Sequence, residues 1–288
     1  MIQLFFIPLL ILLPVTKGET RPPTKFEFAL SLALHYGIFV LALPISILLY
    51  RTKQQPWNVL LRVTTEPIVL SAYGFTLLAA LSATITNALF GLILAWVLVR
   101  YEFSGKEILD ATVDLPFALP TSVGGLTLMT VFNDKGWARP ICSWLGTRIV
   151  FGPLGVLIAM IFVSLPLVVR TVQPVLQNME ENLEEAAWCL GASSWTTFWH
   201  ILFPPLIPSL LTGTALGFSR ALGEYGSIVL VASNIPMKDL VVPVLLFQKL
   251  ERYDYQGATI IASFALIISF GALFSINEIQ PWKGGSNK

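Results

Sequence analysis

Residues 69–99, VLSAYGFTLLAALSATITNALFGLILAWVLV, form an uncharged and mostly apolar stretch that decides the fold class of this chain. An α-helix needs about 20 apolar residues to cross the hydrocarbon core of a bilayer. Val69–Val99 exceeds that length, so its helix either tilts or extends beyond the hydrocarbon. The 288-residue chain is 55% hydrophobic and only 12% charged, whereas a soluble domain is about 25% charged. The sequence therefore predicts an all-α, polytopic membrane protein.

Further apolar segments on the two sides of this stretch bring the predicted bundle to about six transmembrane helices. Pro116 and Pro120 interrupt the third segment, and Gly124 and Gly125 follow them. Helix breakers at membrane depth are tolerated where they line a cavity or pack on protein. Pro120 and Gly124 are therefore candidates for the wall of a translocation pathway, with a kinked helix as the alternative. The further segments are Ala29–Tyr50, Val113–Phe132, Ile149–Val169, Pro205–Ala232 and Ala258–Ile276.

The chain is predicted to divide into a hydrophobic N-terminal extension (residues 1–28), one membrane domain (residues 29–279) and a polar tail (residues 280–288). Leu4–Val15 is short for a span, and a signal-peptide core, an interfacial anchor and an additional span all stay open for it. Lysines and arginines divide almost equally between the two sides of the predicted bundle. The positive-inside rule therefore leaves its orientation undecided.

Composition and motifs argue against several other functions. The net charge of +1, without basic clusters, gives no reason to expect nucleic-acid binding. No GxxxxGK[ST] phosphate loop occurs, so the sequence gives no reason to expect ATP binding by this chain. His35 and His200 are isolated from other ligand-type residues, so no metal site is expected, and Asp114 is interpreted as an interfacial helix cap. No nucleophile is paired with a general base, so no catalytic residue is predicted and a membrane-embedded enzyme is disfavoured.

Two short helices joined by a tight bend are predicted between the fourth and fifth segments. Gly191 lies where a left-handed residue would end the first helix, and Ser193 or Ser194 can cap the second. Pro204 and Pro205 are expected to end that second helix. Such a unit suits either a rigid knob that inserts into a groove of a soluble partner or an interfacial amphipathic loop. The first helix has acidic early turns and an apolar face made of Leu183, Ala186, Ala187 and Leu190.

Two charged residues are predicted inside the fifth segment. Arg220 and Glu224 are four residues apart and are expected to meet on one helix face. Ionisable groups at this depth are costly and usually paired, so the pair either shapes the pathway or holds helices in register. Ser209, Gly213 and Gly217 repeat every four residues on the same segment. This small-residue face predicts close helix packing, either between subunits or within the chain.

The bend carries a pattern that resembles the permease subunits of binding-protein-dependent ABC importers. The family pattern is Glu-Ala-Ala-x3-Gly-x9-Ile-x-Leu-Pro, and here Phe203 replaces the usual Leu. In that family the loop is a coupling helix that docks into the ATPase subunit, so the resemblance implies a docking role here. The residues that carry this expectation are Glu184, Glu185, Ala186, Ala187, Gly191, Ile201 and Pro204.

Residues 114–126, 168–176, 221–227 and 274–277 are similar to the T-type permease subunit of sulfate/thiosulfate importers. The resemblance implies ATP-driven uptake of sulfate or thiosulfate through a pore formed with a second permease subunit, either a W-type relative or a second copy. It also implies a soluble sulfate-binding protein and separate ATPase subunits, which would bind ATP and Mg²⁺, so this chain is expected to hold no cofactor. A molybdate or tungstate permease and a non-transporting membrane scaffold are the alternatives. Overall similarity favours a plastid membrane over a bacterial inner membrane.

Overall fold

A computed structural model describes residues 25–144, 146, 148–180 and 182–279, without the side chains of residues 25–28, 141, 142 and 276–279. All regular secondary structure in these residues is helical, which confirms the predicted fold class. Leu4–Val15 and the polar tail lie outside the described residues. The α-helices are α1 Lys25–Gly37, α2 Leu43–Lys53, α3 Trp57–Thr64, α4 Pro67–Arg100, α5 Lys106–Val113, α6 Leu115–Ala118, α7 Thr121–Phe132, α8 Arg139–Trp144, α9 Pro153–Gln177, α10 Asn182–Cys189, α11 Ser194–Thr197, α12 Phe203–Leu222, α13 Ile228–Val231, α14 Val242–Glu251 and α15 Tyr255–Ile279.

The third predicted span is not a single helix, which confirms the interruption expected at Pro116 and Pro120. Val113–Phe132 contains the end of α5, the short α6 and α7. Pro120 forces the residue before it out of the helical region, and Leu119 is extended (φ −89°, ψ 138°). The 12 residues of α7 extend about 18 Å, less than the roughly 30 Å of a bilayer core. Among the described residues, five stretches are long and apolar enough to cross a membrane: Ala29–Lys53, Pro67–Arg100, Pro153–Gln177, Ser194–Leu222 and Tyr255–Ser275.

The chain forms two compact units, residues 1–61 and residues 62–288, and the described part of each contains a π-helical turn that ends two residues before a proline. These turns are Ile38–Ala42, followed by Pro44 in α2, and Phe198–Leu202, followed by Pro204 in α12. Proline lacks an N–H group, and its ring clashes with the carbonyl four residues earlier in a regular helix. The wider π-turn accommodates that ring, so the helix continues. The prediction that Pro204 and Pro205 end the second short helix was therefore wrong.

The core of the second unit lies between α4, α9 and α12. A methyl group added at Gly213 would lie 3.0 Å from Cα of Val168, and one added at Gly217 would lie 3.5 Å from the carbonyl oxygen of Ser164. The small-residue face of α12 is therefore a contact with α9 in the same chain. The amide of Asn87 in α4 donates a 2.8 Å hydrogen bond to Ser164 Oγ, which ties α4 to the same part of α9.

The fifth span ends earlier than predicted, and the chain then folds back onto the bundle. The helix stops at Leu222 instead of Ala232, and a non-helical turn leads to the four-residue α13. The following stretch at 240–246, LVVPVLL, is entirely apolar. Its first part is buried in protein, and the Val242 N–H donates a 2.9 Å hydrogen bond to Thr76 Oγ1 of α4.

The helix termini define two ends of the second unit. At one end, Arg100 at the end of α4 lies 2.7 Å (Nη2 to Oε1) from Glu184 in the connection between α9 and α12. At the opposite end, Lys249 of α14 lies 3.6 Å (Nζ to Oε2) from Glu66, which directly precedes α4. We call these the loop end and the far end.

Candidate functional site

The bend at the loop end is closed by local backbone hydrogen bonds. Gly191 has φ +85°, the left-handed conformation that its place in the sequence predicts and that glycine adopts at little steric cost. The Ala192 N–H donates to the carbonyl oxygen of Ala187 at 3.0 Å, which satisfies the end of α10. Ser193 Oγ then accepts a 3.2 Å hydrogen bond from the Thr196 N–H and caps α11. The two helices are therefore joined by a bend with a defined geometry.

Charge and aromatic contacts fix this bend to the end of α4. The ion pair between Arg100 and Glu184 is largely shielded, with 14% and 17% of the two side chains exposed. The Arg100 guanidinium lies 5.6 Å from the ring centre of Trp96, within range of a cation–π interaction. Trp96 in turn makes an edge-to-face contact with Phe198, with ring centres 5.6 Å apart. Glu184 therefore faces the bundle.

A large apolar and acidic surface at the bend remains exposed. Leu190 is 89% exposed and Trp195 is 72% exposed. Removal of apolar area of this kind from water is favourable by roughly 25 cal/mol per Å², before the costs of association. Among the residues predicted to dock a partner, Glu185, Ala186, Gly191 and Pro204 are exposed, Glu184 and Ile201 are partly exposed, and Ala187 is buried.

Arg220 and Glu224 meet as predicted, but Glu224 lies beyond the end of α12. Arg220 Nη1 donates a 2.7 Å hydrogen bond to Glu224 Oε2. The other carboxylate oxygen accepts from the backbone N–H and the hydroxyl of Ser227 at 2.9 and 2.8 Å. Only 1% of the Glu224 side chain is exposed, against 34% for Arg220. The expectation that both residues lie on a helix was wrong, because the helix ends at Leu222 and the pair spans the following turn.

The start of α7 packs against this turn through a residue that the sequence did not single out as a site. A methyl group at Gly125 would lie 2.6 Å from Cα of Ser227, a distance that only glycine allows. Gly124 instead faces Phe162 of α9, where an added methyl group would lie 3.1 Å from its ring. Pro120 is exposed directly before α7. The broken third segment and the Glu224 turn are thus brought together by Gly125 and Ser227.

A second polar cluster, centred on Arg170 of α9, was missed by sequence reasoning. Arg170 donates to both carboxylate oxygens of Asp114, at 2.8 Å from Nε and 2.7 Å from Nη2. Its Nη1 also donates to Asp110 Oδ1 at 2.7 Å and to Gln173 Oε1 at 2.6 Å. The Asp114 side chain makes no capping hydrogen bond, so its interpretation as a helix cap was wrong.

The pKa of Asp110 and the spacing of the two aspartates are both consistent with this cluster. The hydrogen bond from Arg170 lowers the pKa of Asp110 below its ordinary value, and a second hydrogen bond from Gln173 acts in the same direction. Asp110 and Asp114 are four residues apart, so a chain that is helical or nearly helical there presents both carboxylates on one side. That spacing was the available signal. Their partner lies 56 residues beyond Asp114, at a distance that periodicity does not reveal.

Three comparisons relate the chain to known proteins. Residues 87–280 match the family described as "Binding-protein-dependent transport system inner membrane component". A Marchantia polymorpha protein named "Probable sulfate transport system permease protein cysT" is 80% identical over 283 residues, 98% of each chain. A Synechocystis protein named "Sulfate transport system permease protein CysT" is 53% identical over 247 residues, 86% of each chain. A bacterial ABC transporter involved in alginate import matches with a TM-score of 0.73 at 16% identity, over 90% of this chain and 96% of that chain, which shows a shared fold.

Proposed function

Since this chain belongs to the family of binding-protein-dependent transport system inner membrane components, we propose that it is the sulfate/thiosulfate permease subunit of an ATP-driven importer. The observation that carries the proposal is the 80% identity, over nearly the whole chain, to a relative named for sulfate transport. A relative at 53% identity has the same substrate in its name, so the molybdate or tungstate alternative is not favoured. Five stretches of membrane-spanning length suit a subunit that forms a translocation pathway.

The bend at the loop end is proposed to dock the ATPase subunit. Glu185, Leu190 and Trp195 offer one negative charge and two large apolar groups on an exposed surface. The Gly191 turn and the Ser193 cap hold these groups in place before binding, so little conformational entropy is lost on docking. The ion pair between Glu184 and Arg100 connects the docked surface to α4. A matching ATPase groove would be apolar with a basic residue opposite Glu185.

The Arg220–Glu224 pair is proposed to hold the end of α12 against α7. Every oxygen of the Glu224 carboxylate already has a donor. An arginine whose charge is compensated in this way is a poor ligand for a sulfate dianion, so a structural role at the wall of the pathway fits better than direct sulfate binding. Weak affinity in the pore also suits an importer in which a separate binding protein selects the substrate.

The complete importer would contain partners that this chain lacks. ATP and Mg²⁺ would bind to ATPase subunits, a W-type relative or a second copy of this chain would complete the pore, and a soluble sulfate-binding protein would deliver the anion. Relatives come from plant and algal plastid genomes and from cyanobacteria. We therefore favour a plastid membrane, with a bacterial inner membrane as the alternative location.

Reconstitution of the complex in liposomes tests this function. ATP-dependent accumulation of labelled sulfate, stimulated by the binding protein, is the expected result. Accumulation of labelled molybdate without sulfate uptake would favour the alternative substrate. Binding of the ATPase without any transport would instead favour a scaffold.

A glycine substitution tests the docking bend in the same preparation. Gly191→Val should lower sulfate uptake per ATP hydrolysed, because a β-branched residue in the left-handed conformation costs about 1–2 kcal/mol. Gly191→Asn is the matched control, since asparagine tolerates this conformation and an added side chain meets no atom within 4 Å. Equal coupling in the valine and asparagine variants would contradict the docking role.

A further inference from the structure

A basic cleft of about 730 Å³ opens at the far end of the second unit. Three cationic side chains, Arg139, Arg148 and Lys238, line it together with one carboxylate, Asp134. All four residues are exposed, and none forms an ion pair within the described residues. Their formal charges sum to +2, which exceeds the net charge of +1 of the whole chain. Positive charge is therefore concentrated in this cleft.

One wall of the cleft is a loop that is ordered from within. Asp239 is fully buried, and its carboxylate accepts hydrogen bonds from the N–H and hydroxyl of Ser233 at 2.7–2.8 Å and from the Ile235 N–H at 3.0 Å. This internal hydrogen bonding fixes the loop that presents Lys238. Met237, next to it, is 62% exposed and has φ +64°. An unbranched apolar side chain is thus held outward in an unfavourable backbone conformation.

A second residue, which lines the cleft itself, also combines an exposed apolar side chain with a positive φ. Phe151 lines the cleft, is 54% exposed and has φ +60°. Its N–H donates a 2.7 Å hydrogen bond to the carbonyl oxygen of Val231, which holds the strained conformation in place. Non-glycine residues in this region of backbone space are strained and persist where the surroundings fix them, often at binding surfaces.

We propose that this cleft docks an acidic surface of the soluble substrate-binding protein, an inference that rests on the proposed import function. Exposed aromatic, methionine and arginine side chains are enriched at protein interfaces. Phe151, Arg139 and Arg148 line the cleft, and the exposed Met237 directly precedes Lys238 in the chain. A free sulfate ion would use the cations of the cleft but not the exposed Phe151 ring. The cleft lies at the end of the unit opposite the ATPase-docking bend, so both partners can bind together.

Binding kinetics on the complete importer in lipid nanodiscs test this surface. The purified binding protein should associate with an Arg139→Glu/Arg148→Glu complex roughly tenfold more slowly than with wild type at low salt, because charges at an interface rim steer association. The difference should shrink as the salt concentration rises. ATP hydrolysis without the binding protein should not change. Arg252→Glu is the matched control, since it reverses an exposed charge near the end of α14 that does not line the cleft.

A second variant separates docking from anion capture. Phe151→Asn keeps a residue that tolerates positive φ and removes the apolar group, so the binding protein should dissociate faster. Unchanged kinetics in the charge and Phe151 variants, or an equal effect of Arg252→Glu, would overturn the inference. The inference would also be overturned if the charge variant bound the binding protein as wild type does and differed from wild type only in that free sulfate no longer competed with this binding. Failure of the wild-type complex to take up sulfate would instead count against the proposed function.

Discussion

Arg170 and Arg220 each pair with carboxylates, but the two sites are built differently. Arg170, in the half of α9 nearer the loop end, has several partners, and its two carboxylate side chains are 41% and 50% exposed. Arg220 has one carboxylate partner, and that side chain is 1% exposed. At the first site, many directed hydrogen bonds fix the orientation of the Arg170 guanidinium. The second depends on charge neutralisation in a buried turn, so loss of one charge there should be more costly.

The largest effect is expected from Arg220→Met. The substitution keeps a long apolar side chain but leaves the Glu224 carboxylate buried without its cation, a loss of about 3–5 kcal/mol of unfolding free energy. The thermal midpoint of the purified complex should fall markedly. The double variant Arg220→Met/Glu224→Gln should recover part of the loss, because it removes both charges. Equal stability of Arg220→Met and wild type would show that the pair is not buried in the assembled importer.

Lysine substitutions at the two arginines should lower the stability less than Arg220→Met does. The loss should be larger at Arg170, where hydrogen-bond geometry matters, than at Arg220, where charge matters. Lysine cannot reproduce the two parallel hydrogen bonds that Arg170 makes to Asp114. Arg170→Lys should cost about 1–2 kcal/mol, whereas Arg220→Lys keeps the single charge contact and should cost less. Thermal midpoints of the two variants in one detergent provide the measurement. A larger loss for Arg220→Lys would mean that geometry matters at the buried pair as well.

The two aspartates of the Arg170 cluster should differ from each other. Asp114 accepts two hydrogen bonds from Arg170, whereas Asp110 accepts one from Arg170 and one from Gln173. Asp114→Asn should therefore destabilise more than Asp110→Asn, each by about 1 kcal/mol or less because the carboxylates are half-exposed. Chemical denaturation of the two variants side by side tests the order. The reverse order would place the main contact at Asp110.

The smallest expected effect is a pH dependence of the same cluster. Hydrogen bonding by Arg170 lowers the folded-state pKa of Asp110, so this residue adds stability above its unfolded-state pKa and loses that contribution as the pH falls through the folded value. The stability difference between wild type and Asp110→Asn should therefore be constant near neutral pH and disappear in strong acid. Thermal midpoints of both proteins across that range provide the comparison. A gap that widens in acid would reverse the assigned sign.

The sequence predicted correctly those features that depend on residues close to each other in the chain. The conformation of Gly191, the cap at Ser193 and the meeting of Arg220 with Glu224 all depend on residues within a few positions of each other. A spacing of four residues, however, is met equally well in a helix and in the turn after Leu222, so the helix end was misplaced. Proline at 204 was read as a stop because the compensating π-turn has no simple sequence signal. The contact of Gly125 with Ser227 joins distant segments and could only come from the fold.

The π-turn before Pro204 leaves a single rod of 29 residues from Ser194 to Leu222, about 44 Å long at 1.5 Å per residue. One tip of this rod carries the surface proposed to meet the ATPase, and the other carries Arg220. A rigid-body movement of this helix displaces both of its ends together. A tilt of this rod at Ser194 would therefore displace the Arg220 guanidinium that neutralises Glu224, and the π-turn at Phe198–Leu202 and Pro208 within α12 are two irregular places between these ends.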